Sequence, residues 1–147
     1  MRRVSILGIL IGAVIDIVTS IALELPFGFY ALSKIDLTHT PKDQVQHALA
    51  AVMHSNLALY LCQLFVGFAC SVLGGFIAAM IARRAELLNG TLSSFLCVFM
   101  GIYAMTVGKN LESIPVQILL LIASPLMGLL GGELQLRQVR HNAQAKI

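Results

Sequence analysis

The stretch "GILIGAVIDIVTS", residues 8–20, places one carboxylic acid, Asp16, in a run that is otherwise apolar, small or hydroxylic. The composition around it agrees: of 147 residues, 58% are hydrophobic and 12% are charged, and the mean hydropathy is +0.87. Soluble domains carry about 25% charged residues. Half that fraction cannot cover a globule with polar surface, so we expect the chain to lie in a lipid bilayer.

Four apolar runs are long enough, or nearly so, to cross a bilayer as helices, since a hydrocarbon core about 30 Å thick needs about 20 helical residues. These runs cover residues 4–23, 57–81, 88–107 and 114–134. None shows the period-2 alternation of barrel strands. The sequence therefore predicts an all-α fold in one domain, residues 1–147: an integral membrane four-helix bundle.

The distribution of Lys and Arg predicts the orientation. The side that holds the termini carries seven of these residues: Arg2, Arg3, Arg83, Arg84, Arg137, Arg140 and Lys146. The opposite side carries three: Lys34, Lys42 and Lys109. By the positive-inside rule both termini are cytoplasmic. The first run also resembles a signal peptide with "MRR" as its basic region, but its length, its internal acid and the missing cleavage motif favour a retained helix.

The outer loop, residues 24–56, contains the signals of a short amphipathic helix in "THTPKDQVQHALAAVMHSN", residues 38–56. Thr40 is a candidate N-cap, and Pro41 suits the first helical position. Apolar residues then recur at helical spacing on one face: Val45, Ala48, Leu49, Val52 and Met53. We expect this helix to lie on the membrane surface or at the mouth of the bundle.

Small residues at every fourth position predict how the four spans pack. Burying Leu does not drive helices together in lipid, whereas close approach of backbones does, and spacing of four keeps residues on one helix face. The candidate packing residues are Gly8, Gly12, Gly67, Ser71, Gly75, Gly101, Gly128 and Gly132.

Asp16 belongs to the first of these small-residue faces, so we expect it to face protein. An Asp at the centre of a span costs about 2.5–3.5 kcal/mol on insertion scales, and it therefore needs a partner, a proton or water. Counting depth along each helix places Gln63, Tyr103 and Ser124 near its level. Two interpretations stay open: a hydrogen-bonded cluster that fixes helix register, or a protonatable site in a transport path. The other acids, Glu24 among them, are expected near the edges of the spans.

Charged residues mark the inner rim of the predicted bundle. In "GGFIAAMIARRAELLNG", residues 74–90, the second span ends with Arg83 and Arg84, followed by Glu86 and a turn at Asn89–Gly90. In the fourth span, Glu133 and Arg137 stand at i and i+4, which favours an ion pair.

The stretch 74–90 also resembles a signature of small bacterial membrane proteins that have four predicted spans and no assigned biochemical role. In these proteins Gly-Gly and a helix of small residues lead into Ala-Arg-Arg-x-Glu and a Gly. The resemblance covers about seventeen residues. It implies a multi-pass protein of the bacterial inner membrane and no catalytic residues.

No pattern of catalytic or cofactor-binding residues stands out. His39, His47 and His54 share the outer loop. Asp43, His47 and His54 could lie on one helix face and bind Zn²⁺ weakly, but the solvated polar face of an amphipathic helix is the better explanation of these residues. Cys62, Cys70 and Cys97 lie in apolar runs and do not form a disulfide framework. Lys and Arg form no basic face interleaved with aromatic residues, so nucleic acid is not an expected partner. We therefore expect that the chain is not an enzyme and that it binds no cofactor or metal ion.

Two functional hypotheses remain. In the first, the chain is a non-catalytic membrane component, either a homo-oligomer or an accessory subunit of a larger complex. In the second, it is a small proton-coupled transporter or channel that uses Asp16. The layout of four spans with one acid in the first resembles that of small multidrug exporters. This chain departs from them in its length, its long outer loop and its lack of Trp.

Overall fold

The computed structural model describes residues 4–37, 39–42, 44–83, 85–107 and 113–144. Five helices lie in these ranges: α1 (Ile6–Leu32), α2 (Val45–Ser55), α3 (Leu57–Ala82), α4 (Glu86–Thr106) and α5 (Ile114–Gln144). All except α2 are long and apolar enough to cross a membrane. The predicted all-α fold with four spans and an additional loop helix is confirmed.

The four long helices form an antiparallel bundle in which α3 and α4 are central. Helix α1 packs against α3 and α4, and α5 packs against the same two helices. Within the described residues α1 and α5 make no contact with each other, so they occupy opposite corners. We call the end that holds both chain termini the terminal end. The end that holds α2 and the α4–α5 connection is the loop end.

Two of the long helices extend beyond their predicted bounds. Helix α1 continues through Glu24 and Pro26 to Leu32, so the prediction that the outer loop begins at Glu24 is wrong. In lipid every backbone group needs an internal partner, and for that reason an apolar segment stays helical even where Pro removes one donor. Helix α5 continues past Leu134 to Gln144, because the residues after it keep helix-forming character into the polar tail.

The loop helix exists, but it begins later than predicted. Its N-cap position is Gln44, which makes no side-chain capping bond. The Thr40 hydroxyl instead donates to the Asp36 carbonyl oxygen at 2.7 Å and stabilises a turn. Helix α2 contacts α1 and α3, with Met53 buried on its inner face. It therefore lies at the loop end of the bundle.

The turn between α3 and α4 involves Arg83 and Ala85, not Asn89 and Gly90. Arg83 and Ala85 both have left-handed backbone conformations, with φ of 52° and 50°. Asn89 and Gly90 lie within α4 and are fully buried. The Asn89 side chain has a different role: its Oδ1 accepts a hydrogen bond of 2.8 Å from the Ser5 backbone N–H, at the start of α1.

Candidate functional site

The terminal half of the bundle is closed by direct contact between helix backbones. A methyl group added to Gly12 of α1 would lie 2.5 Å from the Gly74 carbonyl oxygen of α3. The neighbouring Gly75 faces the other way, against the backbone of Gly128 in α5. The pair Gly74–Gly75 thus lets α3 approach two helices at once. The predicted packing residues that lie at such contacts are Gly8, Gly12, Gly75, Gly128 and Gly132.

Small polar side chains of α4 fill the rest of this half. Asn89, Ser93 and Ser94 are at most 1% exposed. The Ser93 hydroxyl donates to the Gly90 carbonyl oxygen at 2.7 Å, so its polar atom is satisfied within α4. The Ser94 side chain lies against Gly128 of α5. Small side chains therefore fill the space between the helices at these positions.

The loop half is open by comparison. A methyl group added to Gly67 of α3 would meet nothing within 4 Å, so the prediction that Gly67 packs against another helix is wrong. Gly101 of α4 approaches only the flexible side chain of Leu121. Between the four long helices, a cavity of about 550 Å³ occupies this half and is open to the surface over part of its wall.

Asp16 lies at the boundary between the two halves. A methyl group added to Gly74 of α3 would lie 2.8 Å from the Asp16 Cβ atom, so Asp16 packs closely against the backbone of α3. The Asp16 carboxylate lines the cavity. The residue is 4% exposed. The Asp16 Oδ1 atom accepts from the Ser71 hydroxyl at 3.4 Å and from the Ser20 hydroxyl at 3.5 Å, and Oδ2 accepts from the Cys97 thiol at 3.2 Å. The carboxylate thereby connects α1, α3 and α4.

The predicted partners of Asp16 are only partly brought together. Gln63 and Ser124 line the same cavity, but the Ser124 hydroxyl donates to the Ser94 carbonyl oxygen at 3.5 Å. Tyr103 is 64% exposed and does not line the cavity, so its place in the cluster is wrong. Counting depth gives the level of a residue, not its direction, and Tyr103 stands about 120° around α4 from Cys97.

Sequence reasoning missed the true donors to Asp16 for different reasons. Ser20 follows Asp16 by four residues and so shares its helix face, a signal that was present. Ser71 was assigned to helix packing, and it does lie where α3 meets α1. Cys97 was noted only as a residue of an apolar run, and nothing in its own span indicates that it faces a carboxylate of α1.

A second acid lines the cavity. Glu24 was expected near the edge of a span, but the longer α1 places it inside the helix, half-buried and about two turns beyond Asp16. It shares this level of the cavity with Gln63 of α3 and Gln117 of α5. Among the described residues no side chain donates a hydrogen bond to Glu24 or forms an ion pair with it.

The charged residues of the inner rim lie at the terminal end, outside the cavity. Arg137 and Glu133 form the expected ion pair, with an N···O distance of 2.6 Å. Arg83 is exposed and Glu86 is half-buried. Arg84 lies outside the described residues. Among the described residues of this rim, the Glu133–Arg137 pair is local to α5 and no shared site is formed.

The outer-loop histidines do not converge on one point. His39 contacts Asp36 at 2.8 Å, while the His54 ring packs edge-on against Tyr60 with centroids 4.8 Å apart. His47 is exposed on α2, and Asp43 lies outside the described residues. In the described ranges, no three His, Cys, Asp or Glu residues are grouped closely enough to hold a metal ion.

No protein-family model matches this chain, no curated protein matches it, and no solved structure matches its fold. The function is therefore argued from the cavity and from the residues that line it.

Proposed function

We propose that this chain is a small membrane transporter that binds a solute in its cavity and takes up and releases a proton at Asp16. One observation carries the proposal: the Asp16 carboxylate lies at the closed end of a cavity of about 550 Å³, where the close glycine contacts between the helices end. A carboxyl group that only fixed helix register would serve equally well in the close-packed half.

The partners of Asp16 suit a group that changes its protonation state. A hydroxyl both donates and accepts hydrogen bonds, so Ser20 and Ser71 are able to bond to the carboxylate and to the carboxylic acid. A Lys or Arg partner would hold the group permanently charged instead. No basic side chain lies among the described residues that line the cavity. Both states of Asp16 are thus satisfied without rebuilding the site.

We infer that the protein lies in the inner membrane of a bacterium with both termini in the cytoplasm. The excess of Lys and Arg at the terminal end supports this orientation through the positive-inside rule. The resemblance of residues 74–90 to a signature of small bacterial membrane proteins supports the compartment. In this orientation the cavity occupies the outer half of the membrane, and the glycine contacts close the inner half.

The transport proposal predicts that Asp16→Asn abolishes proton movement while the fold survives. Asn has nearly the same shape as Asp and keeps polar contacts with the serines, but it cannot bind or release a proton. Purified protein is reconstituted into vesicles that contain a pH-sensitive dye, and the decay of an imposed pH gradient is recorded. We expect the wild type to speed the decay relative to empty vesicles and Asp16→Asn to match empty vesicles.

Glu133→Gln is the matched control, because it also removes one carboxylate from the chain but at the terminal end, outside the cavity. It should keep the wild-type rate. If Asp16→Asn conducts as well as the wild type, or if the wild type matches empty vesicles, the transport proposal is wrong.

A second candidate function is supported by the bonds of Asp16 itself. Because the carboxylate joins α1 to α3 and α4, it also suits a non-catalytic structural component, either a homo-oligomer or an accessory subunit of a membrane complex. This alternative predicts a lower melting temperature for Asp16→Asn and no proton flux in either protein. Extraction in mild detergent, followed by identification of co-purifying chains, then tests for a partner.

A further inference from the structure

The cavity holds its two carboxylates at different levels of one helix. Asp16 and Glu24 are eight residues apart on α1, and at 1.5 Å per residue their levels differ by about 12 Å. Both side chains line the same cavity. A ligand that reaches from one end of this volume to the other meets a carboxylate at each end.

The wall between the two carboxylates is mainly apolar. Ile17 and Ile21 of α1 face the cavity, with Phe68 of α3 and Leu121 of α5 at intermediate levels. Hydrogen-bond acceptors lie at the two ends instead. Ser71 stands beside Asp16, and Gln63 and Gln117 share the level of Glu24. The order along the cavity is therefore acidic and polar, then apolar, then acidic and polar.

The described residues of the lining carry one carboxyl group at each end and no basic side chain to balance it. Within the described residues that form the wall there is no Lys, Arg or His. A buried or half-buried carboxylate without a compensating charge is costly, so a cationic ligand is favoured at each end and an anion is disfavoured. A ligand with one positive charge would leave one carboxylate uncompensated, and one metal ion cannot contact two groups about 12 Å apart.

We propose that the cavity binds a linear alkyl diamine, with one ammonium group at Asp16, the other at Glu24, and the methylene chain against the apolar wall. Allowing about 3 Å for each charge-assisted N–H···O bond leaves about 6 Å between the nitrogen atoms. Extended alkyl chains of about four or five carbon atoms span that distance. This inference rests on the proposed transport function, because it names the class of solute that the transporter carries.

The test compares the binding of 1,5-diaminopentane and pentylamine to purified protein in detergent by titration calorimetry. The two probes share one chain length and differ in the second ammonium group. We expect the wild type to bind the diamine about tenfold more tightly, because only the diamine reaches both carboxylates. In Glu24→Gln this preference should disappear, because only the Asp16 carboxylate remains to bind an ammonium group. Equal affinities in the wild type, or a preference that survives Glu24→Gln, overturn the proposal.

A second variant tests whether the cavity is the binding site. Gly67 lines the cavity, and a Cβ atom added there meets no neighbour, so Gly67→Phe adds a large side chain to the cavity. We expect both amines to lose measurable binding while the melting temperature stays close to that of the wild type. If Gly67→Phe binds the diamine normally, the assignment of the site to this cavity is wrong.

The two proposals fail in different ways. If proton flux depends on Asp16 but diamines do not bind, the diamine proposal is wrong and the transport function stands. If the diamine binds with the expected dependence on Glu24 but neither protein moves protons, the ligand assignment is supported and proton-coupled transport is overturned.

Discussion

At the scale of single residues, two glycines on α3 have opposite roles. Gly75 permits the backbone of α5 to approach α3, whereas Gly67, about two turns away, borders open space. Only the structure separates these roles, because both positions satisfy the same spacing of small residues along the span. A single-residue experiment distinguishes them directly.

We expect Gly75→Ala to destabilise the protein by about 1–3 kcal/mol, because the added methyl group overlaps the backbone of Gly128 and forces the helices apart. Gly67→Ala is the matched control on the same helix. It adds the same methyl group into open space and should leave stability unchanged or slightly higher, since Ala favours the helix. Denaturant titration in micelles measures both. Similar losses for the two variants contradict the division of the bundle into closed and open halves.

At the scale of elements, hydropathy located all four long helices and the ends of α3 and α4 to within two residues, but it missed where α1 and α5 end. The residues after Glu24 are apolar and contain Pro26, and they fall within the predicted outer loop, residues 24–56. In water Pro would end the helix, whereas a membrane-spanning segment keeps its remaining hydrogen bonds because no solvent replaces them. This error displaced Glu24 from the cavity, so the second carboxylate of the site was missed.

The connection between α3 and α4 carries backbone strain that a substitution should relieve. Ala85 has φ of 50°, a left-handed conformation that costs a residue with a Cβ atom about 1 kcal/mol or more. Ala85→Gly removes that cost, and we expect stability to rise by about 0.5–1 kcal/mol. Ala51→Gly, at an exposed position inside α2, is the control and should lower stability instead. The same denaturant titration measures both variants. A loss of stability in Ala85→Gly would show that Ala85 does not have the left-handed conformation.

At the scale of the whole molecule, the cavity follows from an unequal distribution of close contacts along the bundle. At the terminal end, glycine contacts hold α1 against α3 and hold α5 against both α3 and α4. The buried serines of α4 add to the contact with α5. Towards the loop end the close backbone contacts are missing, since a methyl group on Gly67 would meet no neighbour and Gly101 approaches only the Leu121 side chain. Sequence spacing predicted that the helices pack through small residues, and Asp16 was correctly placed facing protein. The cavity itself could not be predicted, because it depends on how four helices diverge and not on any one of them.

The orientation of the molecule decides from which side the proposed solute reaches the cavity. In the proposed orientation, with both termini in the cytoplasm, the loop end and α2 face outward. Single cysteines test this in a background where Cys62 and Cys97 are replaced by Ser and the buried Cys70 remains. We expect a membrane-impermeant maleimide to label His47→Cys, on the exposed side of α2, in intact spheroplasts.

The matching position at the terminal end is Gln138→Cys, which is exposed on α5 and should react only after the membrane is lysed. Labelling both variants in lysed membranes controls for the reactivity of each cysteine. A difference in labelling between the two variants in intact spheroplasts then shows on which side of the membrane each position lies. The reverse pattern would place the cavity in the cytoplasmic half of the bilayer. The carboxylates would then collect a cation from inside the cell, and the glycine-packed half would have to separate for that cation to leave.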